Sequence, residues 1–250
     1  MDKISLPDGI ELQLSDTGRG KPILLLHGGA GPRLMESLAT ALAEDARVLL
    51  STHPGFAGTP CPDWLDRVDD LALIYADLLD TLDLRDVLVI GNSLGGWIAA
   101  SLSLLAPERL RGVVLMNAAG IRVEGHDIAD VSKLAPPQLA ELAYHEPDKF
   151  RLDRSKLSPA ELAAFAANGV MMNRLCNTPY MHDPKLARRL RRAKVPALVI
   201  WGESDRIVDV EYGRAFARAF ANGRFELVPK AGHMPHLEQP ARVLELLRGL

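Results

Sequence analysis

The segment Gly91-Asn92-Ser93-Leu94-Gly95-Gly96 stands between the apolar, largely β-branched run 87–90 and the apolar stretch 97–105. The first run predicts a buried strand and the second a buried helix, so the six residues between them must turn the chain sharply from one into the other. Gly91 and Gly95 remove the side chains that would collide as the helix folds back over the strand. Ser93 is thereby held with its hydroxyl clear of the backbone, at a helix N-terminus whose partial positive charge favours a developing anion. This is G-x-S-x-G in a strand-turn-helix context, which also fits a glycine-rich turn with a bystander serine. Partner residues elsewhere in the chain decide between the two.

Short apolar runs recur at 23–26, 47–50, 112–116, 197–201 and 224–228, each compact enough for a buried strand. Residues 3–6 and 10–14 flank a Pro7-Asp8-Gly9 turn and predict a hairpin. Amphipathic stretches lie between most of the runs; in 70–82, Leu71, Ile74, Leu78 and Leu82 share one helical face. Strand and helix in alternation predict an α/β chain: an eight-stranded, mostly parallel sheet with helices on both faces.

The alternation breaks between about 120 and 183, where helical pieces at 137–144 and 159–176 replace strands. The second opens with a capping box, Ser158 as cap, Pro159 in the first turn and Glu161 three residues after the cap. The expected division is a core of 1–119 and 184–250 and a helical cap of 120–183, inserted after the sixth strand and covering the C-terminal sheet edge, where open α/β sheets bind ligands. Arg188 to Lys194 is read as the basic end of a helix begun by Asp183-Pro184.

A net charge of −3 supplies no positive field for nucleic acid or anionic lipid, so the expected partner is a small-molecule substrate. Cys61 and Cys176 form neither a disulfide framework nor a metal pair and read as free thiols. No apolar run approaches the ~20 residues needed to span a bilayer, and the N-terminus lacks a signal-peptide pattern, so the expected location is cytoplasmic. No metal motif is present, and no cofactor is expected; His233 and His236 are three apart without a third ligand.

A serine nucleophile needs a base on another loop at the same sheet edge. His233, in Lys230-Ala231-Gly232-His233-Met234-Pro235 after the last predicted strand, is placed for it, whereas His236 falls where the final helix begins and reads as a capping or packing residue. Asp205, in Trp201-Gly202-Glu203-Ser204-Asp205-Arg206, is the candidate acid that fixes the base, with Glu203 as substitute. His27-Gly28-Gly29-Ala30-Gly31-Pro32 follows another strand, and the Gly29 and Leu94 N–H groups would form the oxyanion hole. His27 reads as a loop-bonding residue. Phe165, Met171, Met172 and Leu175, on the longer cap helix, are candidates for an apolar substrate pocket.

With HGGAGP at 27–32, HPGFAGTP at 53–60, GNSLGG at 91–96, WGESDRIV at 201–208 and AGHMPHLEQP at 231–240, the chain resembles the α/β-hydrolase superfamily over essentially its whole length. The resemblance implies the α/β-hydrolase fold with a helical cap, a Ser-His-Asp triad, an acyl-serine intermediate and no cofactor. The serine at 93 sets the chain apart from the branches with an aspartate nucleophile. The GNS and HGG segments resemble those of meta-cleavage-product hydrolases, which cleave carbon–carbon bonds in vinylogous diketones. Those relatives usually carry a tryptophan where this chain has Met234, and a cap arginine for which Arg174 is the candidate. His53 stands where relatives commonly have an aspartate. The expected activity is therefore hydrolysis of a small carboxylic ester, with carbon–carbon hydrolysis, or use of the triad in a ligand receptor, lyase or perhydrolase, as alternatives.

Overall fold

The computed structural model describes residues 2–250, Arg154 by its backbone alone. In chain order the strands and α-helices are β1 (Asp2–Ser5), β2 (Glu11–Gly18), β3 (Pro22–Leu26), α1 (Glu36–Leu42), β4 (Arg47–Thr52), α2 (Val68–Thr81), β5 (Val87–Asn92), α3 (Leu94–Leu105) and β6 (Leu110–Met116). They continue with α4 (Pro136–Ala143), α5 (Pro147–Phe150), α6 (Pro159–Cys176), α7 (Leu186–Leu190), β7 (Ala197–Gly202), α8 (Val210–Ala219), β8 (Gly223–Val228), α9 (Pro235–Glu238) and α10 (Pro240–Arg248). One eight-stranded sheet runs β1-β2-β4-β3-β5-β6-β7-β8. The β1–β2 and β2–β4 pairs are antiparallel, and every later pair is parallel.

The apolar runs are continuous because the central strands are covered on both faces. Successive side chains of a strand point to opposite faces, and here they enter two separate cores. Leu24, Leu26, Val87, Val89 and Val113 join Leu71 of α2, Ile98 of α3, Leu186 of α7 and Phe216 of α8. Ile23, Leu25, Leu88, Ile90 and Val114 join Leu38 and Leu42 of α1 and Val243 and Leu246 of α10. Helix α3 begins three residues earlier than its apolar run predicts, because Leu94 to Gly96 already take helical geometry, and residues 94–103 are all buried.

Between β6 and β7 the described chain is helical, and a parallel bridge from Gly120 to His182 closes the base of the insertion. Helix α6 starts as predicted, with Ser158 Oγ accepting from Glu161 N and the Glu161 side chain returning to Ser158 N. The basic run is a different matter. Only Leu186–Leu190 is helical; Arg191 to Lys194 lie beyond it, where the chain turns through Pro196 into β7. Arg188 and Arg189 lie in the last turn of α7 as expected, and Arg189 also pairs with Asp183 and Asp69.

Candidate active site

The turn between β5 and α3 is as tight as its glycines predict. A β-carbon on Gly95 would lie 2.0 Å from the Leu26 carbonyl oxygen, and one on Gly91 2.1 Å from that of Gly95. Ser93 sits between them at φ 54°, ψ −114°. A non-glycine residue in this region is strained and persists only where its surroundings hold it. Its N–H donates to Met116 O at 2.9 Å, and its carbonyl accepts from Gly96, Trp97 and Ala119. Strand β6 and helix α3 therefore pin the strained residue from two sides.

Leu94, the first residue of α3, has an N–H without an intrahelical acceptor, as helix geometry dictates. Gly28, next to Gly29 in the loop after β3, lies against the nucleophile; a β-carbon on it would stand 3.2 Å from Ser93 Cβ. The Gly29 and Leu94 N–H groups have no protein acceptor among the described residues. Behind this loop lies a buried polar chain. His53 N donates to His27 Nε2 at 3.1 Å, which assigns the His27 proton to Nδ1, donating to Gly28 O at 2.7 Å. His53 Nε2 donates to His27 O at 2.8 Å and its Nδ1 accepts from Tyr75, 2.5 Å away. Burial lowers the His27 pKa to about 4 and drives that of His53 well below its usual range, so both rings are neutral.

Asp205 and His233 meet at the same sheet edge, past β7 and β8. His233 Nδ1 lies 2.8 Å from Asp205 Oδ2, both side chains being almost fully enclosed. Four donors reach the carboxylate: His233 Nδ1 and Asn117 Nδ2 (2.7 Å) at Oδ2, and the Ile207 and Val208 N–H groups at Oδ1. With donors at both of its oxygens the Asp205 carboxylate accepts from His233 Nδ1–H, which leaves Nε2 as the ring nitrogen without a protein partner among the described residues. Asn92, the residue before the serine, donates to His233 O at 3.1 Å and ties the turn to the base loop. No hydrogen bond joins Ser93 Oγ to His233 in this structure, a contact that commonly tightens only with substrate bound.

The rival residues serve elsewhere. His236 is buried in α9 and its Nε2 donates to Leu34 O at 3.0 Å. Glu203 is exposed and accepts from Lys230 N.

Of the cap residues, Met172 lies over Gly29, its Sδ 2.7 Å from where a β-carbon would stand, and Met171 covers Gly55 in the same way at 2.5 Å. Leu175 is buried in the larger core. Phe165 is half-buried and shares the α6 face of Asn168 and Met172 by helical spacing. Arg174 is exposed; it donates to Asp63 O and to Cys61 Sγ, away from the loop that carries Gly29. Two surface clefts of about 290 and 320 Å³ contain neither Ser93, Asp205 nor His233.

Sequence reasoning passed over three asparagines. Asn117, at φ 45°, follows the C-terminal end of β6, a position that itself points to the ligand edge of a parallel sheet. Asn92 was read only as part of the turn. Asn168 of α6 donates to Ala30 O at 2.9 Å and accepts from Ala57 N at 2.7 Å, joining the cap helix to the loops after β3 and β4.

The last carbonyls of α4 dock onto the other half of the site. Leu142 O accepts from Arg206 N at 3.0 Å and Ala143 O from His233 N at 2.6 Å, while the Arg206 guanidinium reaches Glu141 O. A helix leaves its final carbonyls unpaired, and here the loops bearing the acid and the base supply the donors.

A mostly parallel sheet with a strained serine turn and the order serine, aspartate, histidine along the chain defines an enzyme of the α/β-hydrolase kind. Residues 23–246 match the Alpha/beta hydrolase family, and the chain belongs to it. It is 28% identical over 275 residues to a 2-hydroxy-6-oxononadienedioate/2-hydroxy-6-oxononatrienedioate hydrolase of Paraburkholderia phymatum, covering 97% of this chain and 92% of that one. It is 27% identical over 256 residues to a 2-hydroxymuconate semialdehyde hydrolase of Pseudomonas sp. strain CF600, covering 96% and 89%. Among solved structures, an esterase from Thermogutta terrifontis superposes with a TM-score of 0.74 at 28% identity, covering 99% of this chain and 96% of that one. Among the described residues no cluster of His, Cys, Asp or Glu is placed to hold a metal ion, and no helix is long and apolar enough to cross a membrane.

Proposed function

We propose that the protein is a serine hydrolase of small carboxylic esters, with Ser93 as nucleophile, His233 as base and Asp205 as the acid that orients the base. The observation that carries this reading is the Asp205–His233 pair at the same sheet edge as Ser93, held in a single tautomer by four donors to the acid.

In the first half-reaction His233 Nε2 takes the Ser93 proton as Oγ bonds to the carbonyl carbon, and the Gly29 and Leu94 N–H groups receive the oxyanion. The tetrahedral intermediate then collapses, the alcohol leaving with the proton from His233, and Ser93 is acylated. Water attacks the acyl-serine by the same steps in reverse order, releasing the acid and restoring the serine. Each oxyanion donor is worth about 3 kcal/mol in such a transition state.

The thioether of Met172 over Gly29, and the turning of Arg174 toward Asp63, favour an uncharged acyl group over an anionic one. A second reading, hydrolysis of a carbon–carbon bond in a vinylogous diketone, is favoured by the full-length relatives whose names carry that chemistry. The test compares p-nitrophenyl esters of graded acyl length with a 2-hydroxy-6-oxo-dienoic acid, alongside Ser93→Ala. Ester turnover lost in the variant supports the first reading. Faster turnover of the dienoic acid establishes the second, and full activity of Ser93→Ala ends both.

A further inference from the structure

Glu238 ends α9 and is buried, with 8% of its surface exposed. No Lys, Arg or His pairs with it among the described residues. A buried carboxylate is costly unless hydrogen-bonded, and an apolar residue would fill the same space without that cost. The bonds Glu238 makes account for its presence. Oε2 accepts from Gly232 N at 2.5 Å, and Oε1 accepts from His145 N at 2.7 Å and Glu146 N at 3.3 Å. Gly232 is the residue before His233, whereas His145 and Glu146 follow the end of α4. One side chain thus joins the base loop to the cap.

The residue type is specific to this task. Donors approach from both sides, so both side-chain oxygens must accept, which an ionised carboxylate does and an amide cannot. The two segments are in backbone contact there, since a β-carbon on Gly232 would lie 2.2 Å from Ala143 O. His233 is consequently fixed from three directions: Glu238 through Gly232, Ala143 O at its N–H, and Asn92 at its carbonyl.

We propose that Glu238 is a positioning residue, which sets the place of His233 relative to Ser93 by locking the base loop to the end of cap helix α4. The proposal rests on the reading of Ser93, His233 and Asp205 as a hydrolytic triad.

The experiment measures the rate at which a fluorophosphonate labels Ser93 in wild type, Glu238→Gln and Ser93→Ala, with the downfield proton signal of the His233 Nδ1–H to Asp205 hydrogen bond. In Glu238→Gln the maximal labelling rate is expected to fall about 10- to 100-fold, the effect of a displacement of about 1 Å, with the half-saturating probe concentration unchanged. The downfield signal should broaden or vanish while thermal unfolding stays cooperative. A folded Glu238→Gln with the wild-type rate and signal overturns the proposal.

Should Glu238→Gln fail to fold, exposed His145 offers a second route. Set against His145→Ala, which keeps it, His145→Pro removes the shorter of the two N–H bonds that Oε1 accepts; Tyr144 before it is extended, as a residue preceding proline must be. A slower His145→Pro supports the proposal, and equal rates in the two overturn it. Labelling retained in Ser93→Ala would instead remove the triad reading, so the two failures are separable.

Discussion

Asn117 donates to the Asp205 oxygen that also accepts from His233, at 2.7 Å against 2.8 Å. Its own carbonyl oxygen accepts from Gly202 N, so one amide ties the end of β6 to the start of the acid loop. Asn117→Ala should leave Asp205 free to rotate and Gly202 N unpaired. We expect a loss of about 1–3 kcal/mol in stability and about tenfold in kcat, read by urea unfolding and steady-state kinetics. Unchanged kcat would show that the Ile207 and Val208 N–H groups suffice to hold the acid.

The proposed triad predicts an ordered series. Ser93→Ala and His233→Ala should each reduce kcat by on the order of 10⁶, and Asp205→Ala by on the order of 10⁴, in proteins that fold normally. The Ser93→Ala, His233→Ala double variant should be no slower than either single one. An additive double variant would mean that the two residues do not act as a unit.

Met172 and Gly29 predict a compensating pair. The β-carbon of Gly29→Ala would enter the space of the Met172 thioether, 2.7 Å away, so either that side chain or the loop after β3 must move. Gly29→Ala is expected to lower kcat about tenfold or more, and Met172→Ala added to it should recover most of the loss. Failure to recover would place the strain in the loop backbone instead.

Acid stability follows from three enclosed imidazoles, His27, His53 and His236. Burial holds His27 and His236 at about 4, whereas in the unfolded chain each titrates near 6.5. As pH falls from 7 to 4 the unfolded chain takes up protons that the folded protein refuses. Stability should therefore drop by about 3 kcal/mol for each imidazole across that window, and the His27 and His236 contributions should change little below pH 4. Urea melts at pH 7, 5.5 and 4 check it, and His236→Gln should shed about a third of the fall.

What the sequence disclosed was local. The strand runs, the serine turn and the α6 capping box depend on neighbours a few residues apart, and each appears where its pattern predicts. The acid and base candidates were legible because each follows a strand end, where loops of a parallel sheet converge. Asn117, Asn168 and Glu238 were opaque because each has a backbone partner far along the chain, 85, 138 and 93 residues away, which no spacing rule reaches. The orientation of Arg174 was hidden for the same reason, since Asp63 O, its acceptor, belongs to a loop 111 residues earlier. Helix α7 fell short of its basic run because the chain must turn before Pro196 to enter β7 on register.

The insertion between β6 and β7 meets the rest of the chain through two separate footings. Helix α4 gives its last carbonyls to the acid and base loops, and α6 clasps the loops after β3 and β4 through Asn168. Among the described side chains of 151–158, which lies between them, all but that of Leu157 are exposed. Changes of length or composition in this outer span should therefore be tolerated, whereas changes at either footing should disturb the loops it holds. A cap transplanted from a relative would have to bring both footings with it, or the recipient would lose its alignment along with its old specificity.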